Sequence, residues 1–172
     1  MQSSEIPADS WAKTIVDLPF HMGPLRNLTL ERPEPSGTNS LALEQDKFKV
    51  RLANSEGRRE SADLLIKKMY AWRGYDTSGA LTDTPNRITL MADFKGKVIG
   101  TLTIGLDSAI GLLVDQLYKD EIDRLRAAGR FVCEFTKLAI DQDANSNRVL
   151  AALFHLAFIY AHKIHGATDF CN

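Results

Sequence analysis

Residues 87–104 read RITLMADFKGKVIGTLTI, two strand-like runs joined by the short connection Lys95-Gly96-Lys97. Both runs are rich in β-branched and aliphatic residues, which favour strands. A connection this short can join only antiparallel neighbours, because parallel strands need a crossover of about a dozen residues or more. The segment therefore predicts a β-hairpin at the centre of the fold.

Upstream of the hairpin, the pattern predicts one strand and one amphipathic helix. Apolar and basic residues alternate over 48–52, with the period of a half-buried strand. Apolar residues then recur at helical spacing from Ala62 to Trp72, after an N-cap at Asn54 or Ser55. The turn-rich segment 75–86 predicts a surface loop, the kind of segment that often carries function.

Downstream of the hairpin, three further elements and a final strand are predicted. Residues 114–128 have the spacing of an amphipathic helix, 130–140 read as a strand, and 141–147 form a polar loop. Residues 149–164 predict a deeply packed helix, and 167–171 begin another strand. The fold class is thus α/β (α+β), with a mixed, mostly antiparallel sheet flanked by helices and a last strand–helix–strand unit in parallel.

The chain of 172 residues has the length of one domain. Residues 1–46 contain five of the six prolines and polar runs without periodicity, which predicts a mobile or loosely docked arm. Residues 47–172 form the predicted domain. Whether the arm docks stays open at this point, because it also contains an apolar patch formed by Trp11, Ile15, Val16, Leu18 and Phe20.

Charge and hydropathy exclude several classes of protein. Lys and Arg number 21 against 22 for Asp and Glu, so no net field favours binding to nucleic acid. The N-terminus is acidic at Glu5 and Asp9, and no stretch has the roughly 20 apolar residues of a membrane span. Cys133 and Cys171 lack the spacing of a zinc or redox motif. These features predict a cytoplasmic protein with reduced thiols and no integral membrane segment.

Four sequence words carry a family resemblance: MYAWRGY at 69–75, PNRITL at 85–90, GTLTIGLDS at 100–108 and CEFTKLAID at 133–141. They resemble the bacterial N-acyl amino acid synthases, members of the GNAT acyltransferase superfamily that are related more distantly to the acyl-homoserine lactone autoinducer synthases. The resemblance covers about residues 48–172 and implies a GNAT-like acyltransferase fold. Relative to that fold, the chain is expected to lack a C-terminal helix and terminal strand pair.

The activity implied by the resemblance is transfer of a long-chain fatty acyl group from a thioester to the α-amine of an amino acid. The donor would be acyl carrier protein or coenzyme A, and no further cofactor is implied. Two alternatives stay open: an autoinducer synthase that uses S-adenosylmethionine, and a catalytically silent GNAT-like binding module. A homo-oligomer is a further expectation, because a bare strand edge at residues 167–171 would invite self-association.

The resemblance places the chemistry on the strand that contains Glu134. An α-ammonium must lose a proton before it attacks, and Glu134 is the expected base. Backbone amides from Leu138 to Ile140 are expected to polarise the acyl carbonyl, as they do where the central GNAT strand bulges. The alternative for Glu134 is a structural ion pair with Arg130 or Lys137. Glu134 and Lys137 can cooperate only if a bulge intervenes, because a regular strand places them on opposite faces.

The resemblance also implies two binding regions. The phosphate of the donor is expected at the loop that enters the third helix, where free N–H groups favour an anion. This loop has no spaced glycines, which favours a carrier-protein donor over coenzyme A. The expected donor-binding residues are Lys137, Ala139, Asn145, Asn147 and Arg148. The expected acceptor-binding residues are Trp72, Arg73 and Tyr75.

The sequence disfavours two further functional sites, a cysteine nucleophile and a metal site formed by histidines. Cys133 lies beside Glu134 and could act as a nucleophile, but a Cys in an apolar strand is more often part of the core, so direct transfer is expected. His162 and His165 share a helix face at i, i+3 spacing. No carboxylate or cysteine completes a ligand set in the sequence pattern, so no metal site is expected.

Overall fold

The computed structural model describes residues 47–77, 81, 84–142 and 146–172, and the backbone of residues 16–19. No helix within these ranges is long and apolar enough to cross a membrane. The strands are β1 (Val16–Pro19), β2 (Lys47–Leu52), β3 (Arg87–Phe94), β4 (Lys97–Leu106), β5 (Val132–Ile140) and β6 (Asp169–Cys171). The α-helices are α1 (Glu56–Ala71), α2 (Asp115–Ala127) and α3 (Ser146–Phe158), and α3 continues into a π-helical segment, Ile159–Ile164.

The six strands form one sheet in the order β1-β2-β3-β4-β5-β6. The hairpin predicted over residues 87–104 is confirmed, since β3 and β4 pair antiparallel from Arg87↔Gly105 to Phe94↔Lys97. Strands β5 and β6 pair in parallel, and every other neighbouring pair is antiparallel. The predicted mixed, mostly antiparallel sheet is thereby confirmed.

Helices cover both faces of the sheet. On one face, α3 buries Val149, Leu153 and Ala157 against Leu102 and Ile104 of β4. On the other face, α1 packs Leu65, Ile66 and Met69 against Met91, Val98 and Ala139. Helix α2 lies on this second face beside the start of β5, where Leu112, Ile122 and Val132 form a smaller core. The helices bury only part of the apolar pattern that predicted them, since Trp72 at the end of α1 and Leu117 and Tyr118 of α2 are exposed.

The structure places a strand within the predicted N-terminal arm. Val16–Pro19 pairs antiparallel with β2, from Val16↔Val50 to Pro19↔Lys47. A proline is tolerated there because β1 is an edge strand. The pattern of residues 1–46 did not predict this strand, and the rest of that segment lies outside the described part of the chain.

Gly100 fixes the distance between the sheet and α3, and it supplies a test of the fold. A Cβ atom at Gly100 would lie 2.5 Å from Cγ1 of Val149 and 3.1 Å from Cδ1 of Leu153. We expect Gly100→Ala to lower the free energy of unfolding by about 1–3 kcal/mol, because a packed core cannot accept the added methyl without strain. Urea unfolding measures this change.

The matched control is Gly57→Ala in α1, where an added Cβ would meet no atom within 4 Å. The control should leave stability unchanged or raise it by up to about 1 kcal/mol. Equal stability of the Gly100→Ala variant and the wild type would show that α3 does not pack on β4 in this way.

Candidate active site

Strand β5 contains a bulge at Lys137. Thr103 pairs with Thr136 and Thr101 pairs with Ala139, so β5 has one more residue than β4 between these pairs. Lys137 has the left-handed φ of 53° that such a bulge requires. The hydroxyl of Thr101, which is fully buried, donates a 3.0 Å hydrogen bond to the Lys137 carbonyl. The bulge that cooperation between Glu134 and Lys137 requires is thus present.

Beyond the bulge, one edge of β5 has no neighbouring strand within the described ranges. The N–H of Asp141 donates to the carbonyl of Ile99 at 2.9 Å, so the N–H of Ile140 points to the opposite edge. The same alternation assigns that edge to the N–H of Leu138. Strand β6 pairs only with Val132, Cys133 and Glu134. The N–H groups of Leu138 and Ile140 therefore point to the edge of β5 that β6 joins beside Val132, Cys133 and Glu134.

Glu134 is buried, with 1% of its surface exposed. Its Oε1 accepts hydrogen bonds from Arg87, at 3.4 Å from Nε and 3.2 Å from Nη2. Its Oε2 accepts from the backbone N–H of Val114 at 3.1 Å, where α2 begins. Both expected structural partners are wrong: Arg130 pairs with Asp169 at 2.7 Å, and the ion pair of Glu134 is with Arg87. A base at this position is held in one geometry from two sides.

Gly105 makes the Arg87–Glu134 pair feasible. Arg87 on β3 and Glu134 on β5 both lie opposite Gly105 of β4, so their side chains must meet across the middle strand. A Cβ at Gly105 would be 2.7 Å from Cγ of Glu134 and 2.8 Å from its Oε1. Because glycine has no side chain, it leaves the space that the carboxylate occupies.

The loop between β4 and α2 is fastened at both ends. Nδ2 of Asn86 donates to the carbonyls of Leu106 and Gly111, each at 3.0 Å. Arg126 ties the two ends of the loop together, because it pairs with Asp107 at its start and with Asp115 at its end, each at 2.7 Å. Asp115 also accepts from the N–H of Leu112. These contacts fix the first turn of α2 and so direct the Val114 N–H at Glu134.

Threonine hydroxyls continue the site along the same face of the sheet. Thr89 and Thr103 lie opposite each other on β3 and β4, and their Oγ1 atoms are 2.7 Å apart. Thr136 faces Thr103 from β5, two residues after Glu134 and therefore on the same side. Its Oγ1 is shielded from solvent and has no hydrogen-bond partner in the described part of the chain. Arg87, Glu134 and these three threonines are called the polar floor below.

The residues expected to bind the donor lie on β5 and at the start of α3. Lys137 is the bulged residue, Ala139 is buried against the α1 core, and Asn147 is exposed. Arg148 is half-buried, and its Nη1 is shielded without a hydrogen-bond partner in the described ranges. Asn145 lies outside the described residues.

The residues expected to bind the acceptor lie at the end of α1. Trp72 and Tyr75 are 69% and 62% exposed, and Arg73 contacts the Trp72 ring at 6.0 Å. Lys68, one turn earlier, contacts Asp141 at 3.8 Å, and Asp141 is about 20 Å along β5 from Glu134. No hydrogen bond, ion pair or ring contact joins these three side chains to Glu134 in the described structure. The structure thus does not bring this set to Glu134.

Sequence reasoning did not select Arg87 as a site residue. It is present in the word PNRITL, and in the predicted hairpin it falls on the same side as Thr89 and opposite to Ile88 and Leu90. A charged residue and a threonine on the same face of a predicted strand could have indicated a polar site on that face. Its partner could not be read from the sequence, because the pair spans 47 residues and two strand spacings.

Cys133 lies outside the polar floor. It is fully buried on the face that packs against α3, and desolvation raises the pKa of its thiol to about 12. A thiol with this pKa is not a nucleophile at neutral pH, which favours direct transfer. Among the described residues, no group of three or more His, Cys, Asp or Glu side chains could hold a metal ion.

Comparison with known proteins fits this geometry. A family model described as N-acyl amino acid synthase FeeM matches residues 61–172. The solved structure of FeeM, an N-acyl amino acid synthase from uncultured soil microbes, is 26% identical with a TM-score of 0.62, covering 69% of this chain and 66% of that one. The chain thus spans slightly less than two thirds of the FeeM structure. A comparison with curated protein sequences found no match.

Two further solved structures are more distant. An acetyltransferase from Trypanosoma brucei is 11% identical with a TM-score of 0.49, covering 72% of this chain and 80% of that one. A transcriptional regulator from Bacillus halodurans is 14% identical with the same TM-score, covering 72% and 79%.

The mixed, mostly antiparallel sheet, the bulge in β5 and the helix that follows β5 define a fold of the GNAT acyltransferase type. Within that class, the chain belongs to the FeeM family of N-acyl amino acid synthases.

The clamp around Arg126 predicts a dependence of stability on pH. Hydrogen bonds from Arg126 lower the pKa of Asp115 from 3.8 to about 2. The carboxylate therefore stabilises the folded state fully above its unfolded pKa, and this contribution is lost as the pH falls toward 2. We expect the free energy of unfolding of the wild type to fall more steeply between pH 4 and about 2.5 than that of Arg126→Met.

Arg124→Met is the matched control, since it removes an exposed cation from the same helix and leaves the clamp in place. Urea titrations at a series of pH values compare the three proteins. Identical acid slopes for the wild type and Arg126→Met would show that Asp115 does not gain its stability from Arg126.

Proposed function

We propose that the chain is an N-acyltransferase that moves a long-chain fatty acyl group from an acyl carrier protein thioester to the α-amine of an amino acid. Its family supports this proposal. The observation that carries it is the arrangement of β5, where Glu134 precedes the bulge and the amides of Leu138 and Ile140 follow it. One strand thus holds a base and a set of carbonyl-polarising donors.

The reaction requires a proton transfer, an addition and an elimination. Glu134 takes a proton from the α-ammonium, directly or through one water, and the free amine attacks the thioester carbon. The carbonyl oxygen becomes an oxyanion that accepts from the open amides of Leu138 and Ile140. The intermediate collapses with cleavage of the C–S bond and the thiolate leaves. One of the two protons on the nitrogen goes to the thiolate and the other stays as the amide N–H, which gives an amide and a thiol.

The contacts of Glu134 are compatible with this role. Each carboxylate oxygen can accept two hydrogen bonds. Arg87 contacts Oε1 and the Val114 N–H contacts Oε2, which leaves acceptor capacity on both oxygens. The same two contacts prevent rotation of the carboxylate, so a bound ammonium would meet an acceptor that is already oriented. The role of Glu134 as the base is thus proposed from the geometry of its contacts.

A carrier-protein donor is supported at the start of α3. Arg148 offers one shielded, unpartnered guanidinium nitrogen in the described structure, and Asn147 is exposed beside it. One Arg fits a single phosphodiester, such as that of a phosphopantetheine arm, better than the pyrophosphate of coenzyme A.

The proposal is tested with the purified chain, palmitoyl-acyl carrier protein and a mixture of the twenty amino acids. We expect the release of free thiol together with N-palmitoyl amino acids in the mass spectrum of the lipid extract. Palmitoyl-coenzyme A in place of the carrier protein should give a lower kcat/KM. If no thiol is released from either donor, the chain does not catalyse acyl transfer on its own.

The role of Glu134 predicts a specific loss of turnover. Glu134→Gln preserves size but cannot take the proton, so we expect kcat to fall about 100-fold or more, as for the loss of a general base. Glu121→Gln, an exposed change on α2, is the control for the loss of one negative charge. An unchanged kcat in the Glu134→Gln variant would remove this residue from the proton transfer.

A further inference from the structure

The polar floor contains one hydroxyl that the protein itself does not use. The hydroxyls of Thr89 and Thr103 bond to each other at 2.7 Å. That of Thr101, on the same face of β4, donates to the Lys137 carbonyl at 3.0 Å. The Oγ1 of Thr136 is shielded from solvent and has no partner among the described residues. A buried hydroxyl without a hydrogen bond is unfavourable, and such exceptions in native structures call for an explanation.

The position of Thr136 supplies that explanation. It lies two residues after Glu134 on the same face of β5, and Lys137, the bulged residue, follows it directly. Any nitrogen that is deprotonated by Glu134 and attacks a carbon held at the amides of Leu138 and Ile140 must pass beside Thr136. The hydroxyl is therefore adjacent to the path of the nucleophile.

We propose that Thr136 binds the amino acid acceptor, accepting a hydrogen bond at Oγ1 from an N–H of the attacking amine. This inference rests on the proposed function and deepens it. The amine carries more than one N–H, so one proton goes to Glu134 while a second N–H bonds to Thr136. Loss of the proton leaves the lone pair on the side of Glu134, so the amine rotates about its bond to the α-carbon before it attacks, and the hydrogen bond to Thr136 holds the nitrogen in place while it turns.

The acceptor is thereby recognised on the polar floor. Thr136 offers a hydroxyl, and Arg87 offers guanidinium N–H groups beyond those that contact Glu134 and Thr84. A primary amine with a carboxylate on the adjacent carbon matches this pair of groups, because the amine meets Thr136 and Glu134 while the carboxylate meets Arg87. Simple alkylamines would lack the second contact.

Thr136→Val tests the inference, because it removes the hydroxyl and preserves the branched shape. With palmitoyl-acyl carrier protein and the acceptor identified from the amino acid mixture, we expect kcat/KM for the acceptor to fall about tenfold or more. The KM for the donor should stay within about twofold of the wild type. Thr136→Ser should restore most of the activity.

Stability separates a binding role from a structural one. Thr136→Val breaks no hydrogen bond of the described structure, so its thermal midpoint should equal or exceed that of the wild type. Thr103→Val, the matched control, removes the partner of Thr89 and should lower the midpoint. A Thr136→Val protein that melts at a lower temperature than Thr103→Val, or does not fold, would show that the hydroxyl is structural and overturn the inference.

Two kinetic outcomes are distinguished as well. If the wild type transfers acyl groups and Thr136→Val has the same kcat/KM for the acceptor, Thr136 does not bind the acceptor, and the proposed function stands without it. If the wild type transfers nothing, the proposed function is wrong, and the inference that rests on it is overturned too.

Discussion

Glu134 lies within the sheet with its carboxylate away from water, and the arrangement of the site depends on how this charge is balanced. Its partner, Arg87, is on a strand that is not adjacent, and the two side chains meet only because Gly105 leaves a gap in the strand between them. Removing one member of a buried ion pair commonly costs about 3–5 kcal/mol, since the other charge is left without compensation. The geometry of three strands is therefore tied to one carboxylate.

The same carboxylate links the sheet to the loop that precedes α2. The Val114 N–H reaches Oε2 only if the first turn of α2 is in place, and that turn is held by Arg126, Asp107 and Asp115. Electrostatics thus organises the site in two stages. The ion pairs of Arg126 with Asp107 and Asp115 fix the loop. The loop then donates the neutral N–H of Val114 to the buried carboxylate of Glu134, so no second cation has to be buried beside it.

The central hairpin, the helix periods and the parallel last strand followed from residue patterns, because each records which side chains are buried. Glu134 was selected from its place in the word CEFTKLAID. Arg87 and Thr136 were not, since their roles come from register across three strands. The partner of Glu134 was misassigned to residues near in sequence. Trp72, Arg73 and Tyr75 were predicted to bind the acceptor because they lie at the end of α1 and in the loop after it. Which part of the sheet that end contacts depends on the direction of the helix across the sheet, and the sequence does not specify that direction.

The bulge at Lys137 explains why the alternation of side chains along β5 differs before and after this residue. Before it, Glu134 and Thr136 point to the α1 and α2 side, and Cys133 and Phe135 point to α3. An inserted residue shifts the alternation, so that Leu138 and Ile140 also pack toward α3 while Ala139 joins the α1 core. A left-handed lysine costs about 1–2 kcal/mol, which the buried bond from Thr101 helps to offset.

The result is a strand with a polar face on one side and an aromatic face on the other, where Phe135 contacts Phe154 and Phe170 at ring distances of 5.8 and 5.5 Å. Without the inserted residue, Leu138 and Ile140 would lie on the side of Glu134 and Thr136, and Ala139 would lie on the side of α3. A regular strand would therefore carry large apolar side chains into the polar face, and the bulge is what keeps them on the aromatic one.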